Sequence, residues 1–125
     1  MRIELSARGL SPGDHAIHFH QKAQCQGPDF KSAGDHFAPS AKTHGFDASG
    51  GPHAGDMPNL KVGQDGSVQV EIINTEVRLH PGKNSLLGNG GTALVIHAKA
   101  DDYKSQPAGA AGDRLVCGKV VAQRE

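Results

Sequence analysis

Wherever hydrophobic residues recur regularly in this chain, they recur at every second position. No convincing 3.6-residue period is sustained for about three turns anywhere. A period of two belongs to strands, whose side chains alternate between faces. Ile3, Leu5 and Ala7 share a face over residues 2–9, and Ile17 and Phe19 oppose His18 and His20 over 15–21. A short strand at 60–63 precedes the alternation of Val68, Val70 and Ile72 over 67–73, and Asp65-Gly66 between them is a strong hairpin signal. Residues 92–98 set Leu94 and Ile96 against His97, while 114–122 bring Leu115, Cys117 and Lys119 to one face. Ser11-Pro12-Gly13-Asp14 is a turn by composition. Short antiparallel strands of this kind predict an all-β sandwich or barrel, as one domain over residues 1–125.

Two stretches break the alternation at length. Residues 22–59 are rich in Gly, Pro, Ala, Asp and His with no surviving period, and a second polar loop covers 99–113; residues 80–91 form a shorter Gly-rich connection. Irregular loops this long in compact domains are usually functional or disordered. Bulk composition excludes several partners. Thirteen Lys and Arg balance thirteen Asp and Glu, and no basic stripe appears, so nothing recommends nucleic acid. The longest apolar runs, such as 93–96, are too short to span a bilayer, so no membrane partner is expected. Arg-Ile-Glu-Leu after Met1 lacks the apolar core of a signal peptide, so the chain either stays in the cytosol or has its export signal outside this sequence. Cys25 and Cys117 lie far apart, outside any CxxC pair. They read as two buried thiols or as one long-range disulfide, the latter implying an oxidising compartment.

The unusual count is eight histidines. His18-x-His20 on a strand puts both imidazoles on one face, as two ligands of one metal require. Alone this is weak, since cupins and carbonic anhydrases use it and a surface pair is commoner. The loop adds His36, His44, His53 and Asp56. Three imidazoles and a carboxylate make a closed tetrahedral shell suited to structural zinc, and binding would explain how an aperiodic loop stays ordered. A solvated, His-rich loop is the alternative. His97 could join His18 and His20, and several imidazoles without thiolate or carboxylate suit copper.

The run HAIHFHQKAQC (His15 to Cys25) resembles the HGFHIHEKGDC-type stretch of Cu/Zn superoxide dismutases. GPDFKSAGDHFAPS (Gly27 to Ser40), GPHAGDMPNL (Gly51 to Leu60) and SLLGNGGTALVIHAKADDYKSQPAGAAGDRLVCG (Ser85 to Gly118) are similar to further signatures of the bacterial members, in order along the chain. The resemblance implies a Greek-key antiparallel β-barrel or sandwich, immunoglobulin-like, with 22–59 as metal-binding loop and 99–113 as electrostatic loop. It implies copper on His18, His20, His36 and His97, and zinc on His36, His44, His53 and Asp56, with His36 bridging. Asp101 matches a carboxylate that hydrogen-bonds one copper ligand, His18 or His20, and the zinc ligand His44. Arg114 matches the guanidinium that holds the substrate anion, and Cys25 and Cys117 match a disulfide. Lys104 stands where a basic residue can steer substrate, or is simply a solvated lysine; His15 and His80 have no place in the pattern and are expected exposed or hydrogen-bonded.

The implied activity is disproportionation of superoxide to dioxygen and hydrogen peroxide by Cu(II)/Cu(I) cycling, with His36 carrying a proton and zinc redox-silent. A non-catalytic copper- and zinc-binding or interaction module on the same fold is the alternative. Such relatives tend to lose a copper ligand or the arginine, and both His97 and Arg114 are present. The family's loops and disulfide suggest a periplasmic or extracellular enzyme, with the cytoplasm as alternative. Few residues precede Gly9, so the barrel is expected to be short of about two N-terminal strands. The first and last strands would then have open edges through which a homo-oligomer could form. Ala16 and Ala38 stand where the family tends to have Gly and Asn.

Overall fold

The computed structural model describes residues 1–40 and 42–122. Among the described residues seven strands carry the fold: β1 (Arg2–Ala7), β2 (Gly13–His15), β3 (Ile17–His20), β4 (Leu60–Val62), β5 (Val68–Ile73), β6 (Thr92–His97) and β7 (Arg114–Val120). All the strand pairs are antiparallel: β1 with β5, β2 with β4, and β3–β6–β7 as a three-stranded sheet. This is the Greek-key β-barrel type that the family resemblance implies, within the all-β class that the alternation predicts. Ala16 separates β2 from β3, so the expected strand at 15–21 is two strands that pair with different partners. Two short 3₁₀ turns, Lys31–Ala33 and Gly88–Gly90, are the only helical elements among the described residues.

The alternation decides what each face buries. Ile17 and Phe19 pair with Ile96 and Leu94, and this face joins Leu60, Val68, Ile72 and Leu86 in the main core. The opposite face of β3 and β6 carries His18 and His20 against Val95 and Ala93, with His97 next along β6. In an open two-layer fold that face would meet water, yet all four residues of β3 are buried. The 22–59 segment covers it. Phe37 N–H donates to the Phe19 carbonyl at 2.8 Å, and Phe19 N–H donates to the Gly55 carbonyl at 2.9 Å. Gly55 permits this approach, because a Cβ there would stand 2.7 Å from the Phe19 carbonyl oxygen. A small second cluster of Ala33, Ala93 and Val95 packs beneath the segment beside Cys25 and Cys117. Those two cysteines are joined in a disulfide that ties the segment to β7. Among the described residues β1 pairs only with β5 and β7 only with β6, so each has an open edge. Leu115 and Val116 on β7 are exposed, whereas Cys117 is partly buried against the second cluster.

Candidate metal centre

Strand geometry delivers three imidazoles and the covering segment delivers the rest. His18 and His20 project from one face of β3. His97 closes β6 at a bulge between Ile96 and His97, where its register partner is Arg114. Isolated bridges set His36 opposite His20 and Asp56 opposite His18, which fixes the long segment against β3 at the two positions that matter. One ligand atom from each of His18, His20, His36 and His97 falls within 4.8 Å of the others, and all four residues are buried. A second group within the same limit is His18, His36, His44 and Asp56, so His18 and His36 belong to both, while the expected ligand His53 falls in neither.

The unused ring nitrogens are held from behind, which orients each imidazole. His20 Nδ1 is 2.8 Å from the Gly34 carbonyl and His97 Nδ1 3.2 Å from the Gly112 carbonyl. His18 Nε2 donates to Asp101 Oδ2 at 2.7 Å and His44 Nε2 donates to Asp101 Oδ1 at 2.8 Å. Asp101 therefore bridges His18, not His20, to His44. His20 Nε2 and His36 Nε2 are buried and have no hydrogen-bond partner among the described residues. Such orphaned nitrogens are what a metal would satisfy.

Asp56 organises the second group. Its Oδ2 accepts the backbone N–H groups of Gly45 at 3.0 Å and His53 at 2.9 Å, which turns Oδ1 toward the rings. His36 Nδ1 and His44 Nδ1 approach Oδ1 at 2.9 and 3.0 Å. His53 stands at the rim: its Nδ1 is 3.6 Å from Oδ1 and 3.3 Å from His36 Nδ1, and it is the more exposed ring. Four imidazoles on one side and imidazoles with a carboxylate on the other are donor sets suited to copper and to zinc, respectively.

Burial disfavours charge on most of these rings. It lowers His18 against the opposing Asp101 bond, takes His20 down to about 2 with His36 adding to the effect, and takes His36 and His97 down to about 4. Unprotonated imidazoles are the metal-ligating form. His44 goes the other way. Burial pulls it down, but hydrogen bonds to Asp101 and Asp56 outweigh that and hold it up at about 9. Burial likewise pushes both carboxyls up, and the donors around them win, so Asp56 and Asp101 stay well below the usual carboxylate range.

Arg114 and His36 line a cavity of about 310 Å³ together with His53, Asp35 and Pro107. Arg114 Nη1 donates to the Phe30 carbonyl at 2.9 Å, which fixes the guanidinium. Lys104 is exposed and outside the wall of that cavity. A larger groove, about 570 Å³ and walled in part by Lys22, Phe37 and Asn84, has no imidazole or carboxylate in its lining.

His80 is exposed, but His15 is 1% exposed, with Nδ1 2.7 Å from the His97 carbonyl and Nε2 2.7 Å from the Ser11 carbonyl. It tethers the backbone of a cluster residue. Its odd-numbered position with Ile17 and Phe19, on the core side, is the signal that the sequence offers for this. Asn59 pairs with the backbone of Asp101, accepting its N–H at 2.8 Å and donating to its carbonyl at 3.0 Å; no local pattern announces that contact.

The family model described as copper/zinc superoxide dismutase (SODC) matches residues 1–120. Superoxide dismutase [Cu-Zn] 2 of Aquifex aeolicus is 52% identical over 120 residues, covering 94% of this chain and 70% of the relative. Superoxide dismutase [Cu-Zn] of Caulobacter vibrioides is 43% identical over 121 residues, covering 94% of this chain and 70% of the relative. The crystal structure of a SOD-like protein from Bacillus subtilis superposes with a TM-score of 0.90 at 45% identity, covering 94% of this chain and 80% of that one.

Proposed function

The chain belongs to the copper/zinc superoxide dismutase family, and from that premise we propose that its clustered histidines disproportionate superoxide to dioxygen and hydrogen peroxide. The observation that carries the reading is the abutment of a four-imidazole group and a group that contains Asp56. His18 and His36 are common to both, and of these two only His36 turns a ring nitrogen to Asp56. His18, His20, His36 and His97 would hold copper; His36, His44, His53 and Asp56 would hold zinc. Bound there, copper supplies a one-electron couple between Cu(II) and Cu(I), and zinc a redox-silent cation.

The chain's own residues do the rest. Arg114 offers a fixed positive charge in the wall of a cavity that also exposes His36, and so attracts and orients a small anion. His36 Nε2, buried and unpartnered, is the atom at which a proton can be held and passed to a departing peroxide. Two superoxide anions and two protons give one dioxygen and one hydrogen peroxide, so no external reductant is needed. Asp101 and the Gly34 and Gly112 carbonyls keep the rings oriented throughout.

The non-catalytic alternative is not favoured, since all four imidazoles and Arg114 are present together. The Cys25–Cys117 disulfide supports an oxidising compartment, the periplasm or the cell exterior, as the place of action. No helix of the described residues is long and apolar enough to cross a membrane. The open edges of β1 and β7 support association of copies through those strands. The direct test is superoxide consumption by protein reconstituted with one copper and one zinc, beside a His97→Ala control. Fast turnover that the control abolishes is expected; none despite full metal occupancy would return the chain to the binding-module reading.

A further inference from the structure

Gln106 is an exposed residue of the 99–113 segment, yet its side-chain amide makes three hydrogen bonds to backbone. His44 donates its N–H to Gln106 Oε1 at 2.8 Å. Gln106 Nε2 donates to the His44 carbonyl at 2.7 Å and to the Lys104 carbonyl at 2.9 Å. In the first two contacts the side-chain amide stands where the peptide of a neighbouring strand would stand. His44 needs such a partner. It is completely buried, lies outside every strand, and among the described residues no backbone group pairs with its N–H or its carbonyl. The same segment also grips the ring, through the Asp101 contact to His44 Nε2 at 2.8 Å. Gly109 lies so close to that contact that a Cβ would overlap both side chains. Ring and backbone of one residue are thus held from a single stretch of chain.

We propose that Gln106 is a positioning residue for His44. It fixes the backbone from which His44 Nδ1 is aimed at Asp56 Oδ1, and so tunes how firmly the second cluster holds its metal. The proposal rests on the reading of His44 as a zinc ligand. It differs from a general loop-ordering role in what it does to the ligand geometry. Misplacing His44 changes the field that an ion feels, whereas loosening the 99–113 segment alone changes only how often the ion escapes.

The experiment uses the full chain loaded with copper and with cobalt(II) or zinc in the second site, as wild type, Gln106→Ala and Gln106→Glu. Cobalt(II) absorption bands report ligand geometry, and transfer of zinc to a chromogenic chelator reports its release. Gln106→Ala should release zinc about tenfold faster, the lower end of what loss of a ligand-orienting partner costs. It should also change the cobalt bands while copper content stays at the wild-type level. Gln106→Glu keeps the acceptor for the His44 N–H and loses both donors, so it should fall between the two. Wild-type bands in Gln106→Ala would overturn the proposal, whether or not release is faster. A wild-type protein with no tetrahedral cobalt spectrum would instead overturn the zinc-ligand reading, and the proposal with it.

Discussion

Both carboxylate oxygens of Asp101 accept from imidazoles, one from each group of candidate ligands. An asparagine there keeps the shape, but it can accept from only one ring and turns an N–H₂ toward the other. Asp101→Asn should therefore weaken both metals, each by about 10- to 100-fold, measured by competition with chelators; selective loss of one metal would contradict the bridge. His15 acts on the same site through backbone. His15→Ala leaves the His97 carbonyl unpaired in the interior and should cost about 1–3 kcal/mol in thermal unfolding of the metal-free protein. An unchanged midpoint would show that the tether carries nothing. The metal-free protein should also have a stability maximum near neutral pH. His20, His36 and His97 have folded values below the ordinary 6.5, so their contribution is present above pH 6.5 and lost as pH falls toward about 4 and, for His20, about 2. His44 is raised to about 9, so its contribution is complete below pH 6.5 and lost as pH rises through about 9. Thermal midpoints taken from acid to alkaline pH check this, and a monotonic profile would refute the assignment.

Strands are legible in the sequence because a period of two is visible in the residues themselves: Val68, Val70 and Ile72 lie within β5, and Ile17 and Phe19 on the core side of β3. The same alternation by itself assigns His18 and His20 to one face. What it cannot state is that this face is covered, since the cover is an aperiodic segment whose path is set by long-range contacts. The choice of His18 over His20 as the partner of Asp101 depends on ring orientation, which spacing does not encode, and the Gln106 contact to His44 spans 62 positions. The break at Ala16 escapes the pattern for a related reason: apolar residues continue through it while the pairing partner changes. The covering segment is anchored to β7 by the Cys25–Cys117 bond, which closes 92 positions of chain. Replacing both cysteines with serine should cost about 2–5 kcal/mol. The loss should fall first on the covering segment, read as faster amide exchange around residues 22–36; uniform exchange across the sheet would argue otherwise.

At the scale of the whole molecule, the described strands form three small sheets whose edges are not joined to one another by strand pairing. β1 and β7 each lack a second partner among the described residues, and Leu115, Val116 and Val121 stand exposed near the β7 edge. The chain spans about 70% of the length of the Aquifex and Caulobacter relatives it matches. Unpaired, partly apolar edges favour pairing between copies, so sedimentation should show concentration-dependent association that Val116→Lys suppresses with metal content unchanged. A single species at every concentration would refute edge pairing. The pairing of β3 with β6 has a further consequence, in time rather than space. His18 and His20 leave the ribosome well before His97, Asp101 and Arg114. The nascent chain therefore carries these two imidazoles for a long stretch of growth without the strand that pairs beside them. The four-imidazole group is complete only once β6 has been made, so acquisition of that ion marks a chain synthesised at least through His97.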